Sequence, residues 1–411
     1  MRSRTAGINW TGIIAGAIGI ALAIGFAVPA VSRAATSVAF PQPAGIESNV
    51  KFWVEVFTTY SVRDFVVHDR DDVSRIYQVF HMPGVGQPSR EDIEWANAYL
   101  KTKYGDMLNR FASGRAPEND EERRVAALFK DAGPGAYAYA AQNLRVQEGL
   151  REQFRAGLIR SRYYRPAMER IFREAGLPPE LVTLAQVESG FETRARSSAG
   201  ACGIWQFTRS TGRKYLRITR YHDDRLNPVR STEAAAKLLR YNYDMLGDWP
   251  LAITAYNYGA GGTARAAEVY GGDYAAMVHR YNGPHFGFAV KNYYAEFLAA
   301  MQVHQHEDQY FPGIETAKAY IEVAHNYTVR KGDTASRIGA MYGVSPRALM
   351  AANGISSARA LRVGAELVIP DSDVRADDYE APARHKVRKH IRHARRVKHA
   401  RRQTRYYSSI G

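Results

Sequence analysis

Between Leu177 and Phe207 a carboxylate stands where a helix would bury apolar side chains. The segment reads LPPELVTLAQVESGFETRARSSAGACGIWQF. Pro178 and Pro179 suit a helix start, where a missing N–H has no partner to lose. Leu181, Leu184 and Glu188 then share one face of the helix, and Gly190 ends it. Any fold that buries the two leucines carries Glu188 toward the interior, and burial disfavours its charged form. Two outcomes fit this residue. It is a structural group paired with an Arg or with backbone donors, or it is a general acid able to protonate a leaving oxygen near neutral pH.

The 411 residues allow two or three domains, and a hydrophobic share of 45% supplies a sizeable core. The single cysteine, Cys202, leaves no intrachain disulfide, and its small neighbours Ala201 and Gly203 suit a small buried side chain. Residues 1–35 read as a targeting segment: Arg2 and Arg4, an apolar run from Thr11 to Val31, and small residues at Ser32, Ala34 and Ala35 suited to cleavage. The run approaches the roughly 20 residues that span a bilayer, so a retained N-terminal anchor is the alternative. Either way the rest is expected to be exported, to the periplasm or cell envelope. A linker over 36–48 opens a helical N-terminal region, 36–139. Further helices are expected over Pro166–Ala175, Pro179–Ser189, Ser231–Leu246, Pro250–Tyr256 and Asn292–Val303. Two short strands, Tyr327–Val329 and Glu366–Ile369, enclose helices at Ala335–Tyr342 and Pro346–Ala352, a β-α-α-β unit within 325–370.

The net charge of +15 sits mainly in a tail. Residues 384–405 hold eleven Lys and Arg and no Asp or Glu, and without them +4 remains. The tail, 371–411, is expected to be disordered and to attract an anionic envelope surface. Nucleic acid is poorly matched to an exported chain. No metal-site or phosphate-loop pattern is present and no cofactor is expected. His304-Gln305-His306 reads as an exposed chance pair.

Three motifs carry a family resemblance: Glu188-Ser189-Gly190-Phe191, then Ser197 through Gln206, then Ala255-Tyr256-Asn257-Tyr258-Gly259. In order and spacing they resemble the signatures of soluble-type lytic transglycosylase domains, which are related to goose-type lysozyme. Asp223–Pro228, Trp249–Ala252, Phe286–Phe288 and Tyr294–Phe297 extend the likeness over 140–305. Cys202 stands where the family usually has Ala or Ser, and Asp224 and Asn227 replace a typical Glu and Asp.

The resemblance implies a mainly α protein: a lysozyme-like helical catalytic domain at 140–305 behind a helical N-terminal extension. It implies Glu188 as catalytic residue, with Ser197, Gln206, Tyr256 and Asn257 lining a glycan cleft. It also implies cleavage of the bond between MurNAc and GlcNAc in peptidoglycan. One Glu would act first as acid and then as base, leaving a 1,6-anhydro end. A hydrolytic muramidase would need a second carboxylate, with Glu192 or Asp223 as candidates. The Asp223 region is expected to organise a loop by capping.

Tyr327 through Pro370 resembles a LysM module, with Gly332-Asp333-Thr334 after the first strand and Asn353-Gly354 further on. This implies a shallow groove for GlcNAc-containing glycans, using Gly332, Asp333, Thr334 and the loop near Asn353–Ser356. Asp333-Thr334 also suits capping of the first helix. A non-catalytic wall-binding scaffold is the reading from another class.

Overall fold

The computed structural model describes residues 40–314 apart from 134 and 220–222, and residues 325–369 apart from 343, 344, 354, 356 and 358–360. The targeting segment and the basic tail lie outside the described residues. Among those described, no helix is long and apolar enough to cross a membrane. The chain divides into two compact units, one up to Glu322 and one from Val323.

The fold is mainly α. It opens with α1 (Glu47–Thr58), whose Val50, Phe52, Trp53, Val56 and Phe57 are buried. Then come strands β1 (Asp64–Asp69) and β2 (Ile76–His81), and helices α2 (Arg90–Ala112), α3 (Asp120–Ala127) and α4 (Ala136–Gln142). Strand β3 (Leu144–Glu148) closes this region. Local chemistry sets the helix starts. Ser89 and Asp92 form a reciprocal capping box on α2, and the Asn119 side chain caps α3.

The helical expectation for this region misses the antiparallel sheet, ordered β2-β1-β3. In β1, Phe65 and Val67 face one core with Tyr77, Leu100 and Tyr104, while Val66 joins the main core. A central strand covered on both faces reads as a short apolar run, Phe-Val-Val, with no alternation to mark it.

Beyond the sheet runs α5 (Arg151–Glu174), which passes through Pro166 where a helix start was expected. A 3₁₀ turn at Pro179–Thr183 leads into α6 (Leu184–Ser189), so the expected single helix is split. Then follow α7 (Arg209–Gly212), a 3₁₀ turn at Asp224–Leu226, α8 (Pro228–Leu246) and α9 (Trp249–Tyr258). They continue into α10 (Ala260–Val269), α11 (Tyr274–Arg280), α12 (Phe288–Gln305) and α13 (Glu307–Tyr310). Asn227, Asp248 and Asp273 cap α8, α9 and α11 with side-chain oxygens.

Helix α12 is the axis of the unit. Every residue from Asn292 to Ala300 is buried, and α1, α6, α9 and the 3₁₀ turn before α6 pack against it. Asn292 Oδ1 accepts from Asn49 Nδ2 at 2.9 Å and from Trp53 Nε1 at 3.1 Å, which ties α1 to α12 by buried polar contacts.

The second unit pairs β4 (His325–Thr328) with β5 (Glu366–Ile369), antiparallel, with Tyr327 opposite Leu367. Helices α14 (Ala335–Tyr342) and α15 (Pro346–Ala352) lie between them in sequence. Tyr327, Val329, Ala335, Ile338, Leu349, Leu367 and Ile369 form its core.

Candidate active site

Glu188 sits one residue before the end of α6 and is 4% exposed. Gly190 (φ 56°) ends the helix in the left-handed region and Phe191 (φ 60°) continues in it. A non-glycine residue there is strained and has to be held by its surroundings. Phe191 is fully buried, and the Ser189 hydroxyl donates to the Ile204 carbonyl at 2.8 Å. These contacts fix the turn that follows Glu188.

The loop from Ala195 to Phe207 is bound into a compact knot. Gly203 N–H donates to the Ala195 carbonyl at 3.0 Å, and Cys202 N–H to the Phe207 carbonyl at 3.2 Å. Gly203 has φ +80°, and a Cβ there would lie 1.9 Å from the Arg225 carbonyl oxygen. Arg225 Nη1 donates to the Gly200 and Phe207 carbonyls, each at 3.1 Å. Asp223 in turn holds Arg225, at 2.9 Å to Nε and 2.7 Å to Nη2. It also caps the 3₁₀ turn at Asp224–Leu226. The guanidinium keeps the Asp223 carboxyl below the usual range although partial burial opposes this. Asp223 therefore does the loop-organising work expected of it.

Two tyrosines surround the carboxylate. Tyr293 on α12 donates its hydroxyl to Glu188 Oε1. Tyr256 on α9 donates to the Trp205 carbonyl at 2.9 Å and feels the charge of Glu188. Burial pushes the Glu188 carboxyl up to about 8, and the Tyr293 bond pulls against it. Burial and the Glu188 charge drive both phenols well above their ordinary range, so they stay neutral donors. Chemically this is an acid that is protonated at neutral pH, with a donor already aimed at the anion it leaves behind.

The other residues named from the sequence are placed as follows. Gln206 holds φ 45° and donates its amide to the Gly203 carbonyl at 2.8 Å and to Ala195 at 3.3 Å. The Ser197 hydroxyl accepts from Ala201 N–H at 3.0 Å, closing the tip of the loop. Asn257 is half-buried beside Tyr256 on the last turn of α9. Among the described residues, no hydrogen bond joins Ser197, Gln206 or Asn257 to Glu188. In the second unit, Gly332 takes φ +89°, and Asp333 accepts from Tyr327 Oη at 2.6 Å and from Arg330 N–H at 2.7 Å. Thr334 accepts from Arg337 N–H at 3.1 Å and so caps α14.

His304 is a correction, since it is not an exposed chance residue. Its Nδ1 lies 2.8 Å from Arg165 Nη1, its ring packs on Phe154 and Phe191, and burial drives its pKa well below the ordinary value.

Tyr293 was missed from the sequence, and Glu296 entered only as part of the Tyr294–Phe297 stretch, with no role of its own. Helix α12 is apolar on all sides, so periodicity singles out no face for Tyr293. Glu296 had a signal, being the one charged residue between Lys291 and Glu307.

Residues 167–275 match the transglycosylase SLT domain and residues 327–370 match the LysM domain. The chain thus carries an SLT domain followed by a LysM domain. It is 46% identical over 96 residues to membrane-bound lytic murein transglycosylase D of Escherichia coli strain K12, which is 23% of this chain and 21% of that protein. It is 36% identical over 92 residues to a putative tributyltin chloride resistance protein of Alteromonas, covering 22% of this chain and 44% of that one. The matched segment thus spans about a fifth of the first relative and a little under half of the second. Among solved structures, the 70 kDa soluble lytic transglycosylase of Escherichia coli shares 20% identity over 35% of this chain and 24% of its own, with a TM-score of 0.30.

Proposed function

We propose that this chain is an exported peptidoglycan lytic transglycosylase that cuts the MurNAc–GlcNAc β-1,4 bond and leaves 1,6-anhydro-MurNAc ends. The observation that carries the reading is Glu188: nearly sealed, raised to about 8 and bonded by Tyr293. The SLT and LysM matches support the same polymer as substrate.

In this reading Glu188 protonates the glycosidic oxygen, and the bond from C1 of MurNAc breaks. The Glu188 carboxylate, with Tyr293 donating to it, then takes the proton from the C6 hydroxyl of the same sugar as that oxygen bonds to C1. The nucleophile is already attached to the sugar being cut, so effective molarity replaces a positioned water. Tyr256, Gln206, Ser197 and Asn257 are assigned to the cleft around it. A water-using muramidase would need a second carboxylate flanking the bond. Asp223 is committed to Arg225, and Glu192 accepts from Arg194 N–H at 3.3 Å. The deciding measurement is mass spectrometry of products from purified peptidoglycan. Anhydro ends support the reading and reducing MurNAc ends overturn it.

Tyr293→Phe tests the geometry. A hydrogen bond to a charged group is worth about 1.5–3 kcal/mol, so kcat should fall by roughly ten- to a hundredfold. The bond favours the carboxylate, and its loss leaves Glu188 protonated to higher pH. The alkaline limb of the pH–rate profile should therefore move upward even as the rate falls.

The LysM unit is assigned to holding the enzyme on its polymer through Gly332, Asp333, Thr334 and the Asn353–Ser356 loop. Deleting residues 325–370 should weaken retention on insoluble sacculi and leave cleavage of short soluble glycans nearly unchanged, because tethering raises local concentration only. The basic tail is assigned a salt-sensitive attraction to anionic envelope components. Retention by the N-terminal apolar run is the proposed alternative to its cleavage.

A further inference from the structure

One buried ionisable group remains outside the reaction just described. Glu296 is 1% exposed, and both its carboxylate oxygens lack a hydrogen-bond partner among the described residues. It lies on α12 one turn beyond Tyr293, the residue that bonds Glu188. It also continues the row Phe288–Asn292–Glu296, spaced by four, along which α12 meets the N-terminal region. Phe288 lies under the Arg145 guanidinium of β3 at 4.0 Å from its ring centroid. Asn292 is held by Asn49 and Trp53 of α1. Helix α12 thus carries Glu296 beside both the Glu188 contact and the N-terminal contacts, and the charges of Glu188 and of Arg145 both act on it. A core position filled only for packing would take an apolar residue, since an unpaired buried carboxyl is costly.

Resting on the reading of Glu188 as the acid and base, we propose that Glu296 is a positioning residue. It shares a single buried negative charge with Glu188, and Arg145 of the N-terminal sheet sets how readily that charge forms. At neutral pH burial keeps Glu296 protonated throughout, so it leaves the carboxylate that Glu188 becomes unopposed. At alkaline pH, where Glu296 ionises, its charge opposes ionisation of Glu188 and keeps the acid loaded. No proton need pass between them, because the coupling is electrostatic.

Among the described residues, the groups that face the pair are few. On α12 the neighbour is Tyr293, which donates to Glu188, and on α9 it is Tyr256, which donates to the Trp205 carbonyl; both stay neutral. Helix α1 presents uncharged Asn49 and Trp53. The 3₁₀ turn before α6 contributes buried, uncharged Leu181, Val182 and Thr183. Behind Arg145 stand Arg70, whose charge acts on it, and His68, which burial holds near 3 and therefore neutral. Burial raises Glu296 itself to about 8, beside the similar position of Glu188. Two such groups titrate as a pair.

The test is the alkaline limb of kcat/KM on peptidoglycan for full-length protein. Glu296→Gln removes the repulsion and should move the limb down by about one pH unit, the coupling at which two sites titrate together. Arg145→Met removes the cation and should move it up, while Arg145→Lys should hold it in place. A role confined to packing would lower the rate or the melting temperature without moving the limb. Should Glu296→Gln fold poorly, carbon-13 NMR titration of the carboxyl signals in wild-type and Glu188→Gln protein replaces it. Glu296 should then titrate about one unit lower once Glu188 is neutralised. An unmoved limb in both Glu296→Gln and Arg145→Met, or an unmoved Glu296 titration, overturns the proposal and leaves the assignment of Glu188 intact. An active Glu188→Gln protein would instead end the reading on which the proposal rests.

Discussion

Glu188→Gln should leave a folded protein that turns over peptidoglycan at less than about one hundredth of the normal rate. The amide is nearly isosteric and can still accept from Tyr293, so the packing around α6 survives. It cannot deliver a proton, a contribution worth about 10²–10⁴ in rate, and the second half of the reaction also loses its base. Glu192→Gln should keep substantial activity. Asp223→Asn should also keep activity but melt earlier, because Asp223 holds Arg225 and through it two loop carbonyls. The check is anhydro-product release per enzyme beside a thermal melt. Comparable turnover in Glu188→Gln would end the proposed mechanism.

Gly203→Ala should be the most damaging single methyl in the catalytic unit. Its backbone lies at φ +80°, where a side chain is strained, and its Cβ would lie 1.9 Å from a carbonyl oxygen of the main chain. Backbone cannot swing aside as a long side chain can. The loss should be about 3 kcal/mol or more, combining an incompatible φ with overpacking. Gly200→Ala supplies the control. It has nearly the same φ, +79°, but nothing within 4 Å of the added carbon, so the conformational penalty alone applies, about 1 kcal/mol. Thermal or denaturant unfolding of the two variants separates crowding from strain. Equal losses would mean that the approach to Arg225 carries no weight.

The sequence made Glu188 legible because its chemistry is local. Helix spacing put it on a buried face, and burial is what raises its pKa. Asp223 was legible for the same reason, since capping acts over two or three residues. Tyr293 was not, because it stands 105 positions from Glu188 on a helix with no polar face to orient it. Ser197 and Gln206 were picked out by motif, and the bonds they make, the Ser197 hydroxyl accepting and the Gln206 amide nitrogen donating, lie within their own loop. The three-stranded sheet escaped because its central strand is buried on both faces and six residues long. Helix α5 escaped in part because Pro166 reads as a start, whereas tertiary packing carries the helix through it.

The clasp between α1 and α12 joins residues 243 positions apart. Loop-closure entropy is spent before such a contact returns anything, so non-local pairings of this kind form slowly. Tyr293 is carried by the same helix, directly after the clasped Asn292. A chain refolded from denaturant should therefore recover protection of its inner helices before it recovers turnover. Activity should return in the slowest phase, together with the quenching of Trp53, when the two ends of the unit close on each other.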